Sequence, residues 1–454
     1  MTIAENLASF TVRASHDQLS ESARLHLKIR ILDGLGCAIG ALDGEPVRMI
    51  KEQIEDFGGN GRCTLIGGGS TSPDRAAFYN SALVRYLDFN DSYLAKGETC
   101  HPSDNLGAIL APAEYTGASG KDLMAALAVA YQVQCRLSDV APVRARGFDH
   151  TTQGSFAVAA GVSRALGLDP ERTANAIAIS GTAFNALRVT RTGSLSHWKG
   201  LAYPNTVFGC THATFLAMRG ITGPPEVFEG NKGFMDAISG PFQIDWSRED
   251  LERVTNTIIK KYNAEIHSQS AIEGMMELRE RHDFRASEIR RIEIDIFDVA
   301  FNIIGGGEEG EKVTVRTKEE ADHSLPYIVS VALLDGQVMP EQYRRERVQG
   351  DDVQSLLRKV LIRPDDSFSQ RFPQEMPCAI RVWLQDGREL SIEKRDYEGF
   401  ITNPMRWETV VRKFEHLSGG HADPSLRGEI IDAVSRLEEI RTQELMGLLA
   451  RVRP

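Results

Sequence analysis

The sequence predicts a mainly α protein with a smaller α+β domain: a large helical domain formed by both chain ends, with an α+β lid inserted between them. Three observations point there. Most of the first 270 residues, and the stretch after 405, carry apolar residues at helical spacing. Near residue 285 the pattern changes, and SEIRRIEIDIFDVA alternates isoleucine with charge at Ile289, Ile292, Ile294 and Ile296. Further on, AIRVWLQDGRELSIEK forms two alternating runs around Asp386-Gly387, a strong hairpin signal. The predicted helical domain is 1–270 plus 405–454, and the lid is 271–404.

In chain order, SESARLHLKIRILDGLGCAIGAL opens with a serine cap and continues as a helix. KDLMAALAVAYQVQCRL and SFAVAAGVSRALGL follow, the second stopping at Gly167 before Asp169-Pro170. PERTANAIAISGTAF starts with proline in its first turn, and TVFGCTHATFLAMRG ends at Gly220. Their many alanines and glycines imply closely packed helices. Inside the lid, SLPYIVSVALLDG and DDVQSLLRKVLI read as helices. WETVVRKFEHLSG and LRGEIIDAVSRLEEIRTQELMGLLARV return the chain to helix. GGNGRCTLIGGG lacks the Gly-Lys-Ser/Thr ending of a phosphate loop and reads as a surface turn; no Rossmann fingerprint occurs.

Composition narrows the function. A net charge of −11 without a Lys/Arg-rich run argues against a nucleic-acid surface, so an anionic ligand would need a local cationic pocket. The six cysteines form no CxxC pair, which fits a reducing cytoplasm and disfavours a cysteine-held metal. No secretory signal and no uninterrupted apolar run of 18 residues is found, so no membrane association is expected.

Five stretches concentrate polar residues in apolar surroundings: YLDFNDSYLAKGETCHPSDN with Asp88, Asp91, Ser92 and His101; GFDHTTQ with His150; RVTRTGSLSHWKG with Arg188, Arg191, Ser196 and Lys199; IIKKYNAEIHSQSAIEG with Lys260, Lys261, Glu265 and His267; and EEADHSLPYIV with His323 and Tyr327. Each also has a purely structural reading, since a single histidine is commonly a hydrogen-bonded core residue and aspartates cap turns. Thr151 or Thr152 is the expected N-cap of the helix after GFDHTTQ, which places His150 at a helix N-terminus suited to anions. Arg144 and Arg146 add to the field there rather than to direct contact. No HxH or HExxH spacing supports a metal. Taken together, the groups suit removal of a proton alpha to a carboxylate with expulsion of a neighbouring hydroxyl. That chemistry needs a base, an acid, and cations to hold carboxylates. A lid that excludes water strengthens each of these interactions.

Through ILDGLGCAIG, HPSDN, GFDHTTQGSFAVAAG, SLSHWKG, GITGPPEVFEGNKGF, AEIHSQSAIEG, ADHSLPYIVSVALLDG and NPMRWETVVRKF, the chain resembles the MmgE/PrpD family. The family includes 2-methylcitrate dehydratase, cis-aconitate decarboxylase and iminodisuccinate epimerase. The resemblance implies a helical domain with an α+β lid, a homodimer, and neither metal nor organic cofactor. It implies a small polycarboxylate substrate, with His101, His150, Lys199, Asp91 and Tyr327 as catalytic residues. Asp88, Ser92, Lys260, His267 and His323 are implied as substrate-binding residues. Lys261 competes with Lys260, and Asn263 stands where the family usually has proline. AEIHSQSAIEG resembles the dehydratase version, whereas animal decarboxylases place histidine at the position of Glu265. Dehydration of 2-methylcitrate or a related tricarboxylate such as citrate is therefore expected, with decarboxylation of cis-aconitate or epimerisation of an imino- or amino-dicarboxylate as alternatives.

Overall fold

The computed structural model describes residues 1–192 and 196–454, and the fold is mainly α with a smaller α+β part. The chain divides into two units, Met1–Thr257 with Arg406–Pro454, and Ile258–Met405. Residues 258–270, read from sequence as helical domain, go with the second unit. Their backbone bonds lead there: Ile259 N–H donates to Gly399 O at 2.9 Å, Asn263 to Val338 O at 2.9 Å and Glu265 to Asp322 O at 3.1 Å.

In the first unit, Ser20 caps the helix Glu21–Gly40 by accepting from Ala23 N–H. Ser119 and Asp169 cap Gly120–Val140 and Pro170–Ala183 in the same way. The small residues permit close helix approach. A Cβ on Gly107 would lie 2.3 Å from Ser81 N, so the helix Leu106–Thr116 can press directly on Pro73–Tyr86. Helix Trp198–Met218 begins well before the TVFGC stretch read from sequence, and it accommodates Pro204 in its interior. Two corrections arise nearby. GGNGRCTLIGGG is partly a hairpin, β1 (Cys63–Thr64) against β2 (Ser70–Thr71). The C-terminal tail is two helices, Pro424–Ser435 and Thr442–Leu449, separated by a turn at Leu437–Glu439. A second short hairpin pairs β3 (Tyr93–Ala95) with β4 (Glu98–Cys100) and delivers the chain to His101.

The second unit is built on a four-stranded sheet of order β6-β5-β7-β8. Its strands are β5 (Ile289–Ile296), β6 (Val360–Pro364), β7 (Cys378–Leu384) and β8 (Glu389–Lys394). The β7–β8 hairpin turns at Asp386-Gly387, with Gly387 at φ +93°. DDVQSLLRKVLI departs from its helical reading: the helix stops at Leu357, and Val360–Pro364 pairs in parallel with β5. Buried Val360 and Ile362 alternate there with exposed Leu361 and Arg363, a strand period too short to outweigh the preceding helical pattern. Helix Leu325–Asp335 packs into this unit's core with Tyr343, Val348, Val353 and Leu357. All six cysteines are buried and none is in a disulfide.

Candidate active site

The first unit gathers the key residues of three of the five polar stretches around the start of one helix. After β4 the chain enters a tight turn, Pro102–Asn105, leaving His101 half-buried at its head. The His101 Nδ1 lies 2.8 Å from the Asp91 carbonyl oxygen and 3.1 Å from Ser92 Oγ. A carbonyl can only accept, so Nδ1 carries the proton and Nε2 holds the lone pair of the neutral ring. This is the tautomer a general base requires.

Asp91, expected to take part in the chemistry, supports this turn instead. Its carboxylate is fully buried, accepting from Ser103 N–H at 3.0 Å and Tyr131 OH at 2.7 Å, and burial pushes its carboxyl upward. Asp88 sits at φ +52°, a backbone region uncommon outside glycine. Its carboxylate bridges two cations, with Arg85 Nη1 at 2.7 Å and Lys199 Nζ at 3.6 Å. Lys199 stands in the first turn of Trp198–Met218, a helix end that favours anions. The stretch RVTRTGSLSHWKG is described only on either side of 193–195, which lie outside the described residues.

His150, one residue before the predicted threonine cap, is the N-cap residue of Thr151–Ala165, and Asp149 Oδ1, not a threonine, accepts from Thr151 N–H at 3.2 Å. Gly147, at φ +84°, turns the chain so that its carbonyl accepts from Arg188 N–H, while Asp149 N–H donates to Ala186 O. These two bonds bring the Arg188–Arg191 segment over Asp149. Arg191 Nε meets Asp149 Oδ2 at 2.5 Å, and Arg188 Nη1 lies 3.7 Å from the same oxygen. Burial alone would raise the Asp149 carboxyl. The adjacent imidazole, the Arg191 guanidinium and the Thr151 N–H hold it well below the usual carboxylate range. Burial and the neighbouring Arg144 both work against the Arg188 charge.

The two imidazoles lie edge to face with ring centroids 5.5 Å apart, yet they differ in kind. His150 is 1% exposed, with Nδ1 3.1 Å from Asp149 Oδ1 and Nε2 3.5 Å from Arg191 Nη2. Burial pushes it down to about 3; Asp149 opposes this, and Arg191, Arg85 and Arg188 reinforce it. It is therefore neutral at neutral pH. Asp104 is the reverse case, a fully buried carboxyl pushed up to about 7 by burial, against the pull of Arg85, the Asn90 amide and Arg191.

These opposed shifts have a measurable consequence. Below pH 6.5 the unfolded chain protonates the His150 position while the folded chain refuses the proton. Its stabilising contribution is complete above pH 6.5 and falls as pH drops toward 3, by up to about 1.4 kcal/mol per pH unit. Asp104 keeps its proton in the folded state up to about pH 7, so its contribution falls as pH rises from 3.8. The two largely offset each other over their shared window. Replacing His150 by Gln removes one side: urea unfolding at pH 7, 6 and 5 is expected to show the variant gaining on the wild type as pH falls.

The second unit holds the remaining candidates. Glu265 accepts from the His267 backbone N–H at 2.8 Å and lies 2.7 Å from its Nδ1. Burial opposes ionisation of Glu265, while His267, His323 and Lys260 draw its carboxyl below the usual range, so these four groups form one cluster. His323 Nδ1 is paired with Asp322, which Lys318 also holds at 2.8 Å. Lys261 is committed to Glu273 at 2.9 Å and Glu398 at 3.3 Å, which leaves Lys260 as the cation beside Glu265. Tyr327 departs from expectation. It is fully buried in this unit's core, and its hydroxyl donates to the Gln342 carbonyl, because Ser324 caps the helix and turns that face inward.

Sequence reasoning passed over Arg85, Asp104 and Asp149 as site groups. Asp104 and Asp149 stood inside the quoted motifs HPSDN and GFDHTTQ, and the signal for Arg85 is a charge on an otherwise small, apolar helix face, NSALVRYL. Among the described residues, no three His, Cys, Asp or Glu side chains gather so as to hold a metal ion, and no helix is long and apolar enough to cross a membrane.

Fold and site define the class: a mainly helical, two-unit protein whose first unit surrounds paired histidines with guanidinium and ammonium groups. Residues 5–247 match the MmgE/PrpD N-terminal domain and residues 262–439 the MmgE/PrpD C-terminal domain. The chain belongs to the MmgE/PrpD family. It is 28% identical to the mitochondrial 2-methylcitrate dehydratase of Yarrowia lipolytica, covering 82% of this chain and 74% of that protein. It is 28% identical to the 2-methylcitrate dehydratase of Escherichia coli K12, covering 78% and 77%. Against the cis-aconitate decarboxylase of Mus musculus it is 24% identical over 99% of this chain and 93% of that protein.

Proposed function

We propose that this chain is a carbon–oxygen hydro-lyase that dehydrates 2-methylcitrate or a closely similar tricarboxylate. The observation that carries this reading is the His101 tautomer, with Nδ1–H held by the Asp91 carbonyl, beside a cationic group of Arg85, Arg188, Arg191 and Lys199. The dehydratase relatives support the reaction class. His101 Nε2 takes the proton alpha to a carboxylate as the C–H pair becomes the new C=C bond. The neighbouring C–O bond breaks, and the hydroxyl leaves as water with a proton from Lys199. The arginines hold carboxylates and the charge that develops on them. His150, neutral and enclosed, supports the site as an oriented dipole rather than as the base. Lys260, His267 and His323 are proposed as further carboxylate-binding groups. Metal independence, a homodimer and a cytoplasmic location belong to the same proposal.

The test follows the ultraviolet absorbance of the unsaturated product when the purified protein meets 2-methylcitrate or citrate, before and after dialysis against a chelator. A rising signal that survives dialysis is expected. Release of carbon dioxide from cis-aconitate without dehydration would move the assignment to decarboxylase. Exchange of the alpha proton in a dicarboxylate without elimination would move it to epimerase.

A further inference from the structure

Two of the motifs that mark the family, ILDGLGCAIG and NPMRWETVVRKF, have no part in the site as described so far, yet they meet inside the first unit. Asp33 lies within helix Glu21–Gly40 and Lys413 within Trp407–Ser418. Both are buried, and Lys413 Nζ is 2.6 Å from Asp33 Oδ1. The same ammonium donates to the Phe89 carbonyl oxygen at 2.7 Å and sits 3.6 Å from the centroid of the Phe89 ring. Phe89 directly follows Asp88, whose left-handed backbone already needs outside support. Two residues later come Asp91, whose carbonyl holds His101, and Ser92.

A buried ion pair is seldom the most stabilising use of two core positions, since apolar residues of similar volume often do as well or better. An apolar pair, however, cannot supply a hydrogen-bond donor to a carbonyl. We propose that Lys413, oriented by Asp33, is a positioning residue that fixes the Phe89 carbonyl and through it the Asp88–Ser92 turn. That turn aims Asp88 at Arg85 and Lys199, and the Asp91 carbonyl at His101. The proposal rests on the reading of this turn as part of the active site, although the tie itself does not depend on which reaction occurs.

Three variants of the full chain test it. Lys413→Met strands Asp33, the double variant Asp33→Asn/Lys413→Met removes both charges, and Lys413→Arg keeps a cation. The double variant is expected to recover thermal stability relative to Lys413→Met. Its amides at 88–92, read by hydrogen–deuterium exchange without substrate, should nonetheless exchange roughly tenfold faster while helix Gly120–Val140 keeps its protection. Its kcat should fall roughly tenfold or more with little change in KM, since small misplacements of reacting groups are costly. Lys413→Arg should restore part of both. Unchanged exchange at 88–92 in the double variant, or activity that merely tracks Tm across the three, overturns the proposal. If the wild type turns over no tricarboxylate, the functional reading fails alone, and the exchange measurement still decides the tie.

Discussion

His101→Asn is expected to lower kcat by about 10²–10⁴-fold while leaving the circular dichroism spectrum and Tm close to wild type. The asparagine amide nitrogen can occupy the place of Nδ1 and still donate to the Asp91 carbonyl, so the turn at Pro102–Asn105 keeps its anchor. Only the Nε2 lone pair is lost. The cations around Asp88 and Asp149 remain, so KM should move much less than kcat. An asparagine variant retaining more than about a tenth of the wild-type kcat would exclude His101 as the base, because general-base catalysis contributes at least this much. The contrast with His150 is instructive: the two rings meet edge to face but differ in burial, and burial holds His150 neutral near neutral pH.

Asp149→Asn is expected to destabilise the protein by about 3–5 kcal/mol, the usual result of removing one partner from a buried ion pair. Arg191 at 2.5 Å and Arg188 at 3.7 Å would lose their shared counter-charge, and the His150 Nδ1 its carboxylate neighbour. Asparagine can still accept from Thr151 N–H, so the helix cap survives and the loss reports mainly on charge. Urea unfolding at pH 7 measures it. A double-mutant cycle with Arg191→Met isolates the pair, and a coupling energy near zero would mean that the short contact does not stabilise the fold.

Much of the architecture was legible because long helices and alternating strands leave periodic signals. The serine and aspartate caps, the Asp386-Gly387 turn and the isoleucine alternation of β5 all stand in the chain as local chemistry. β6 was hidden because its pairing to β5 is a long-range choice, invisible in five residues that continue a helical pattern. At the site, motif reading located His101, His150, Lys199 and Asp88 in one unit. It could not tell a group's type from its orientation: Asp91 turns its carboxylate into the core and offers its carbonyl, and Tyr327 does its hydrogen bonding inside the second unit. The opposed protonation of His150 and Asp104 is a property of burial, which only the assembled fold supplies.

The first unit is completed by residues 406–454, which the ribosome makes only after the whole second unit has been translated. A nascent chain bearing Asp33 therefore waits for Lys413, for roughly tens of seconds at about 5–20 residues per second. Throughout that interval the apolar side of Glu21–Gly40 that later receives Phe414 stands uncovered, a natural client surface for chaperones.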